Sequence, residues 1–292
     1  MGGVYDWISL TTDYGLSDGF VAACHGVIAR LAPGARVIDV THDVPPADVA
    51  RGAAVLAQTV PHLPPAVHVA VVDPGVGTAR RGLLVVTPGG LLVGPDNGLL
   101  LPAATALGGT KRAYELANDE WFASAVSPTF HGRDVFAPVA ARLADGADPA
   151  LAGRPVPVDS LVRLPEPVVR AGAGWLEAEV VMVDRFGNVQ LAAAGDALAD
   201  FGDRLTVAGL AAVRGDTFAD ADPGRLVVFT DSAGRVSVAV NGGRAVVALR
   251  VTPGDVLRLS RWPPGAAQPL TAGCGVRHTR PVPRAPCRRA RR

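Results

Sequence analysis

Val67-His68-Val69-Ala70-Val71-Val72-Asp73-Pro74-Gly75-Val76-Gly77-Thr78-Ala79-Arg80-Arg81 decides how the chain reads. Its first half is a short run of mostly apolar, β-branched residues, which predicts a strand buried on both faces of a parallel, helix-covered sheet. The strand ends on a carboxylate. Ligands of such sheets gather beyond the carboxyl ends of the strands, so Asp73 stands where chemistry is expected. A glycine-rich turn follows, and a guanidinium arrives at Arg80. Gly75-Val76-Gly77 supplies two glycines of a dinucleotide fingerprint, but Arg80 occupies the third position and that reading fails.

The same grammar extends in both directions. Trp7–Thr12 and Val37–Thr41 read as further strands, and helical spacing of apolar residues over Asp18–Leu31 and Ala47–Val60 gives a β-α-β-α-β rhythm. Asp13 and His42 fall at strand ends beside Asp73. Leu83–Thr87 and Leu91–Gly94 read as a hairpin, with helices expected near Leu99–Leu107 and from Gly132 to about Leu143. The expected architecture is an α/β N-terminal domain with a mainly parallel central sheet over residues 1–160, then a Pro, Ala and Gly-rich linker over 161–174. Short strand-like runs from Leu176 onward, including Ala245–Val251, predict a smaller all-β, barrel-like domain over 175–262. Residues 263–292 carry seven arginines from Arg277 onward and read as a disordered, Arg-rich tail.

Composition narrows the field. With 292 residues and 49% hydrophobic content, two buried cores are affordable. A formal charge of +1 argues for a small-molecule partner rather than nucleic acid, and no apolar stretch is long enough to span a membrane. Lys111 is the one lysine and lies outside any phosphate-cradling loop. Cys24, Cys274 and Cys287 show neither disulfide nor zinc-knuckle spacing, which with the absence of a leader-like N-terminus suggests the cytoplasm.

Six motifs occur in order: Thr12-Asp13-Tyr14-Gly15, Thr41-His42-Asp43-Val44-Pro45-Pro46, Asp73-Pro74-Gly75-Val76-Gly77-Thr78, Pro95-Asp96-Asn97-Gly98, Phe130-His131-Gly132-Arg133-Asp134 and Arg185-Phe186-Gly187-Asn188-Val189. Together they resemble the S-adenosyl-L-methionine hydroxide adenosyltransferases, relatives of the fluorinases and chlorinases, from about Ile8 to Ser260. The resemblance implies hydrolysis of S-adenosyl-L-methionine to adenosine and L-methionine. It implies a catalytic triad of Asp73, Arg80 and His131, with neither metal nor cofactor. It further implies a homotrimer whose active sites lie between subunits.

Substrate contacts carry over by register. Asp13 matches a ribose-diol carboxylate, and Asp184 to Asn188 match the segment at the methionine amine and adenine edge. Ser232 matches a contact to the methionine carboxylate, Asn241 the backbone near adenine, and Phe130 and Phe218 ligand-lining positions. Asp18 and Phe186 complete the candidate set. The halogenating relatives' halide pocket has serine, tyrosine and threonine where this chain has Gly132, Asp73 and Val76, so a halide site is not expected. Ala47 stands where the fluorinases have tryptophan.

The residue types also suggest roles. An arginine beside Asp73 stabilises the carboxylate form, making it a poor proton acceptor and a good orienting anion. Histidine titrates near neutrality, so His131 is the expected base, with Arg80 stabilising developing hydroxide. Two rivals remain: a binding protein for S-adenosylmethionine or adenosine without turnover, and a metal-dependent nucleoside hydrolase using Asp13, Asp18, Asp73 and Asp96. No His-Glu-x-x-His spacing supports the second, and Gly-x-Ser-x-Gly never occurs. His42 reads as structural.

Overall fold

A computed structural model describes residues 5–262, so the expected arginine-rich tail lies outside the described residues. Seven strands form the first sheet: β1 (Trp7–Thr12), β2 (Arg36–Thr41), β3 (Val67–Val71), β4 (Gly82–Val86), β5 (Leu91–Pro95), β6 (Arg112–Leu116) and β7 (Gly153–Val156). Their order is β2-β1-β3-β5-β4-β6-β7, with β2, β1, β3 and β5 parallel and the remaining pairings antiparallel. Helices α1 (Phe20–Leu31) and α4 (Ala137–Ala144) cover one face, and α2 (Val49–Thr59) and α3 (Leu101–Ala106) the other.

Alternation along β3 explains its composition. Val67, Val69 and Val71 pack with Cys24 and Ile28 of α1 and Val139 of α4. Ala70 and Val72 point the other way, against Leu56 of α2 and Ala103 of α3. Both faces are therefore dry, as the apolar run required. Burying each of these valine, leucine and isoleucine side chains stabilises the fold by about 1.5–3 kcal/mol. Register carries this order to the site: Thr12 pairs with Val71, which brings Asp13 and Asp73 to neighbouring strand ends.

The second domain is a closed seven-stranded barrel. Strands β9 (Trp175–Val183), β10 (Val189–Ala194), β14 (Arg235–Val240), β13 (Leu226–Thr230), β12 (Leu210–Arg214), β11 (Arg204–Val207) and β15 (Val256–Arg261) follow one another, and β15 closes on β9. Closure removes exposed sheet edges. Leu176, Ala178 and Val180 alternate inward along β9 to fill the interior with Val236 and Val238.

Three expectations need amendment. Ala245–Leu249 is a short helix, α5, not a strand: Ala245 and Leu249, four residues apart, are buried while Val247 is exposed, and Arg250 ends the helix in the left-handed region. β-branched composition misled the reading, and tertiary burial decided it. Strands β6, β7 and β12 were not expected. Finally, β8 (Val169–Gly172) falls inside the expected linker and pairs with β9 outside the barrel.

His68 sits mid-sheet on β3, fully buried, with Nδ1 2.8 Å from Ser9 Oγ. Burial pulls its pKa down to about 4. The folded value lies below the unfolded one, so the unfolded chain binds more protons below pH 6.5, and stability is lost as pH falls towards 4. At pH 4.5 this group should remove about 2 kcal/mol relative to pH 7.5. Urea denaturation at both pH values should show a smaller acid loss in His68→Gln. Equal losses in the two proteins would exonerate His68.

Candidate active site

The turn after β3 is shaped to bring Arg80 back onto Asp73. Gly77 has φ +77, and a Cβ there would lie 2.5 Å from the Pro128 carbonyl, so glycine alone lets the turn pass beneath the loop that carries His131. Arg80 Nε donates to Asp73 Oδ1 at 3.1 Å, and Nη2 donates to Oδ2 at 2.5 Å. Both side chains are nearly dry, at 9% and 5% exposure. Nη2 also donates to His131 Nδ1 at 3.0 Å. The three triad residues therefore meet, with arginine at the centre.

This geometry fixes the tautomer of His131. A guanidinium has only donors, so Nδ1 must accept and the ring proton of neutral His131 resides on Nε2. Partial burial and the Arg80 charge both hold its pKa below the ordinary histidine value, against the opposing pull of Asp73 and Asp134. His131 therefore differs from the free base expected of it, because its Nδ1 lone pair is already engaged by Arg80. Of the five guanidinium protons, three are committed, leaving the Nη1 pair without a hydrogen-bond partner among the described residues.

His131 caps a π-helical turn, Gly132–Phe136, that runs into α4. Such turns break helical register and are frequent at functional sites. Buried Asp134 fixes the approach by accepting from Arg133 Nε at 2.6 Å and from Ser127 N at 2.8 Å. Hydrogen bonding from Arg133 keeps its pKa low. Phe130 makes edge contacts with Tyr14 at 5.6 Å and Phe20 at 5.1 Å. A Cβ at Gly132 would collide with Tyr14 Oη, so any side chain there requires Tyr14 to shift. Burial raises the Tyr14 pKa, keeping it a neutral phenol.

Asp13 Oδ2 accepts from Ala47 N at 2.9 Å and so holds Ala47 at φ 64. Asp13 Oδ1 accepts no hydrogen bond among the described residues. Asp18 lies in the exposed turn before α1.

The remaining candidates gather on the barrel. Asp184, Asn188, Phe218 and Ser232 line one cavity of about 600 Å³. That volume suits a small-molecule ligand. Asp184 shapes its own loop, accepting from the Phe186 and Asn188 amides and from Asn188 Nδ2 at 2.8 Å. Phe186 itself is 75% exposed. Asn241 is not among the cavity residues; its Nδ2 donates to Ala221 O at 2.7 Å. The sole α/β-domain residue in the lining is Gln58, and none of the triad joins it.

Sequence reasoning missed the support of this cavity. Gln58 Nε2 donates to Gln190 Oε1 at 2.7 Å, and Gln190 Nε2 donates to Asp231 Oδ2 at 2.7 Å, as does Ser237 Oγ. Asp231 Oδ1 accepts from the Ala233 and Arg235 amides, which holds the turn bearing Ser232. Ser232-Ala233-Gly234-Arg235 has turn composition, but no local pattern announces the long-range partners of Asp231.

Also unforeseen is a cluster of His25, Asp39 and His42, drawn from α1, β2 and the loop after β2, with His42 bonded to Thr12. Burial works to raise the Asp39 pKa, but the facing imidazoles outweigh it and leave the carboxyl below its ordinary value. Among the described residues, none of Asp13, Asp18, Asp73 or Asp96 joins a group of potential metal ligands. Asp96 instead pairs with Arg81 at 2.5 Å and accepts from Val162 N, fastening the interdomain segment.

Residues 8–153 match the SAM hydroxide adenosyltransferase N-terminal domain, and residues 178–258 its C-terminal domain. A protein named (R)-S-adenosyl-L-methionine hydrolase from Salinispora arenicola is 66% identical over 87% of this chain and 97% of its own length. A fluorinase from an Actinoplanes species is 29% identical over 62% of this chain and 70% of its own. In structure, an uncharacterized conserved protein from Thermotoga maritima superposes with a TM-score of 0.81 at 37% identity, covering 87% of this chain and all of that one. Both domains match in order, and the chain belongs to the SAM hydroxide adenosyltransferase family.

Proposed function

We propose that this chain hydrolyses S-adenosyl-L-methionine, with water attacking ribose C5′ to give adenosine and L-methionine. The observation that carries the reading is the closed triad: a buried Asp73–Arg80 pair that orients neutral His131 and leaves the Arg80 Nη1 protons for an anion. Water oxygen forms the new C5′–O bond while the C5′–S electron pair returns to sulfur, and the water proton leaves to solvent. Methionine departs as a neutral thioether, so no acid is needed for the leaving group. Arg80 Nη1 supports the oxygen as hydroxide character develops, an electrostatic role worth roughly 10²–10³-fold per donor. We assign the (R) sulfonium epimer named for the Salinispora relative, and a cytoplasmic setting; no described helix is long and apolar enough to cross a membrane.

The protein incubated with S-adenosylmethionine should form adenosine and methionine, and in ¹⁸O-water the label should enter the 5′-hydroxyl. Unlabelled adenosine would reject attack at carbon. Fluoride or chloride should yield no 5′-halonucleoside, since Gly132, Val76 and Asp73 replace the halide-binding side chains.

Asp73→Ala, Arg80→Ala and His131→Ala should each lower turnover about 10²–10⁴-fold, with smaller effects on substrate affinity. Arg80→Ala carries a second readout. Removing the neighbouring positive charge should raise the His131 pKa, measured by NMR titration. An unchanged titration would mean that Arg80 does not hold the imidazole.

We further propose a homotrimer in which the barrel cavity of one subunit completes the sheet-edge site of the next. What supports this is that the triad does not line the barrel cavity of its own chain. Mixed trimers of Asp73→Ala and Asn188→Ala should regain activity, because roughly a quarter of shared sites would be intact. Co-purified mixed trimers showing only summed residual activities would place the site within one chain.

A further inference from the structure

We propose that His25, Asp39 and His42 form a binding site for a borderline divalent ion of the zinc class. The site lies beside Thr12 at the end of β1 and shares no residue with the triad. His25 Nε2 and His42 Nε2 approach the same oxygen, Asp39 Oδ1, at 2.8 and 3.0 Å. All three donor atoms lie within 4.8 Å of one another. Zinc bonds nitrogen and oxygen at about 2.0–2.2 Å, and tetrahedral ligands around it stand about 3.3 Å apart. The two histidine–carboxylate spacings would widen by a few tenths of an ångström around an ion, and the two imidazole nitrogens, within 4.8 Å of each other, would close on it. Two imidazoles and one carboxylate are a donor set suited to zinc, and an exposed side remains for solvent to complete the shell.

An independent observation concerns His42, whose side chain is only 3% exposed. Its Nε2 is buried without a hydrogen-bond partner, because the angle to Asp39 is wrong despite the short distance. Nδ1 lies 2.8 Å from Thr12 Oγ1. If His42 Nδ1–H donates to Thr12, a bare Nε2 lone pair faces a carboxylate. If Thr12 donates instead, the Nε2 proton is left without an acceptor. A cation resolves the first arrangement directly, and the Thr12 contact is the outer-shell hydrogen bond that metal-bound histidines ordinarily make. Thr12 Oγ1 also accepts from Tyr14 N at 3.2 Å. The ion would thus tie α1 and β2 to the segment carrying Asp13, a stabilising role with no step in the reaction.

The test uses the full-length protein, freed of metal by chelation and dialysed against zinc chloride. Wild type should retain one more zinc per chain than His25→Gln or Asp39→Asn, and zinc should raise its melting temperature more than theirs. Both mutated side chains are at least a third exposed, at 36% and 41%, so the fold tolerates the changes. Comparison between proteins discounts any zinc held elsewhere, including by Cys274, His278 or Cys287. Equal zinc content in all three, or none in any, would overturn the site.

Discussion

The Asp73–Arg80 pair is the interaction around which the first domain is organised. Two nearly dry opposite charges are costly to bury, and removing one partner of such a pair typically costs about 3–5 kcal/mol because the other is stranded. The fold must therefore supply both at once. Strand β3 delivers the carboxylate, the Gly77 turn doubles back, and Arg80 arrives where β4 begins. Once seated, the guanidinium dictates the tautomer of a histidine 51 residues away in sequence. A lysine has one point charge and no planar fork, and would not bond carboxylate and imidazole together in this way.

That arrangement changes the chemistry expected of histidine at neutral pH. His131 is a weakened base whose accepting nitrogen is occupied, so on the proposed reaction its contribution is to hold Arg80 and offer an Nε2 proton donor. On that reaction, charge more than proton transfer would activate the water. This division suits a sulfonium substrate, whose leaving group already carries a positive charge and departs without protonation.

How much of this the residue order disclosed depends on range. Asp73, Arg80 and Gly77 lie within one turn, and β3 advertises itself through its apolar run, so the sheet edge was legible. Asp184 and Asn188 came from the family resemblance rather than from a local pattern, although Asp184 does bond within its own loop. Gln58, Gln190 and Asp231 were not, because their hydrogen bonds join α2, β10 and the turn after β13 and no local pattern announces them. His25, Asp39 and His42 escaped similarly: the His25–Asp39 contact joins a helix to a strand 14 residues on. Ala245–Leu249 failed differently, since five residues are too few for period to outweigh β-branched composition.

The two surfaces that the proposed reaction unites carry opposite electrostatic instructions. Asp184, Asp216 and Asp231 line the barrel cavity, and among the described residues no Lys, Arg or His does. Such a wall favours a ligand bearing ammonium and sulfonium charges, and it gains nothing from an anion. The sheet edge presents Arg80, which favours hydroxide and disfavours a cation at close range. On the proposed arrangement, a substrate held by its cationic end against the barrel would present C5′ to the arginine. Reaction removes the sulfonium charge while leaving the methionine zwitterion neutral overall. On the proposed reaction, the attraction that seats the substrate is thereby weakened in the product, which eases product release.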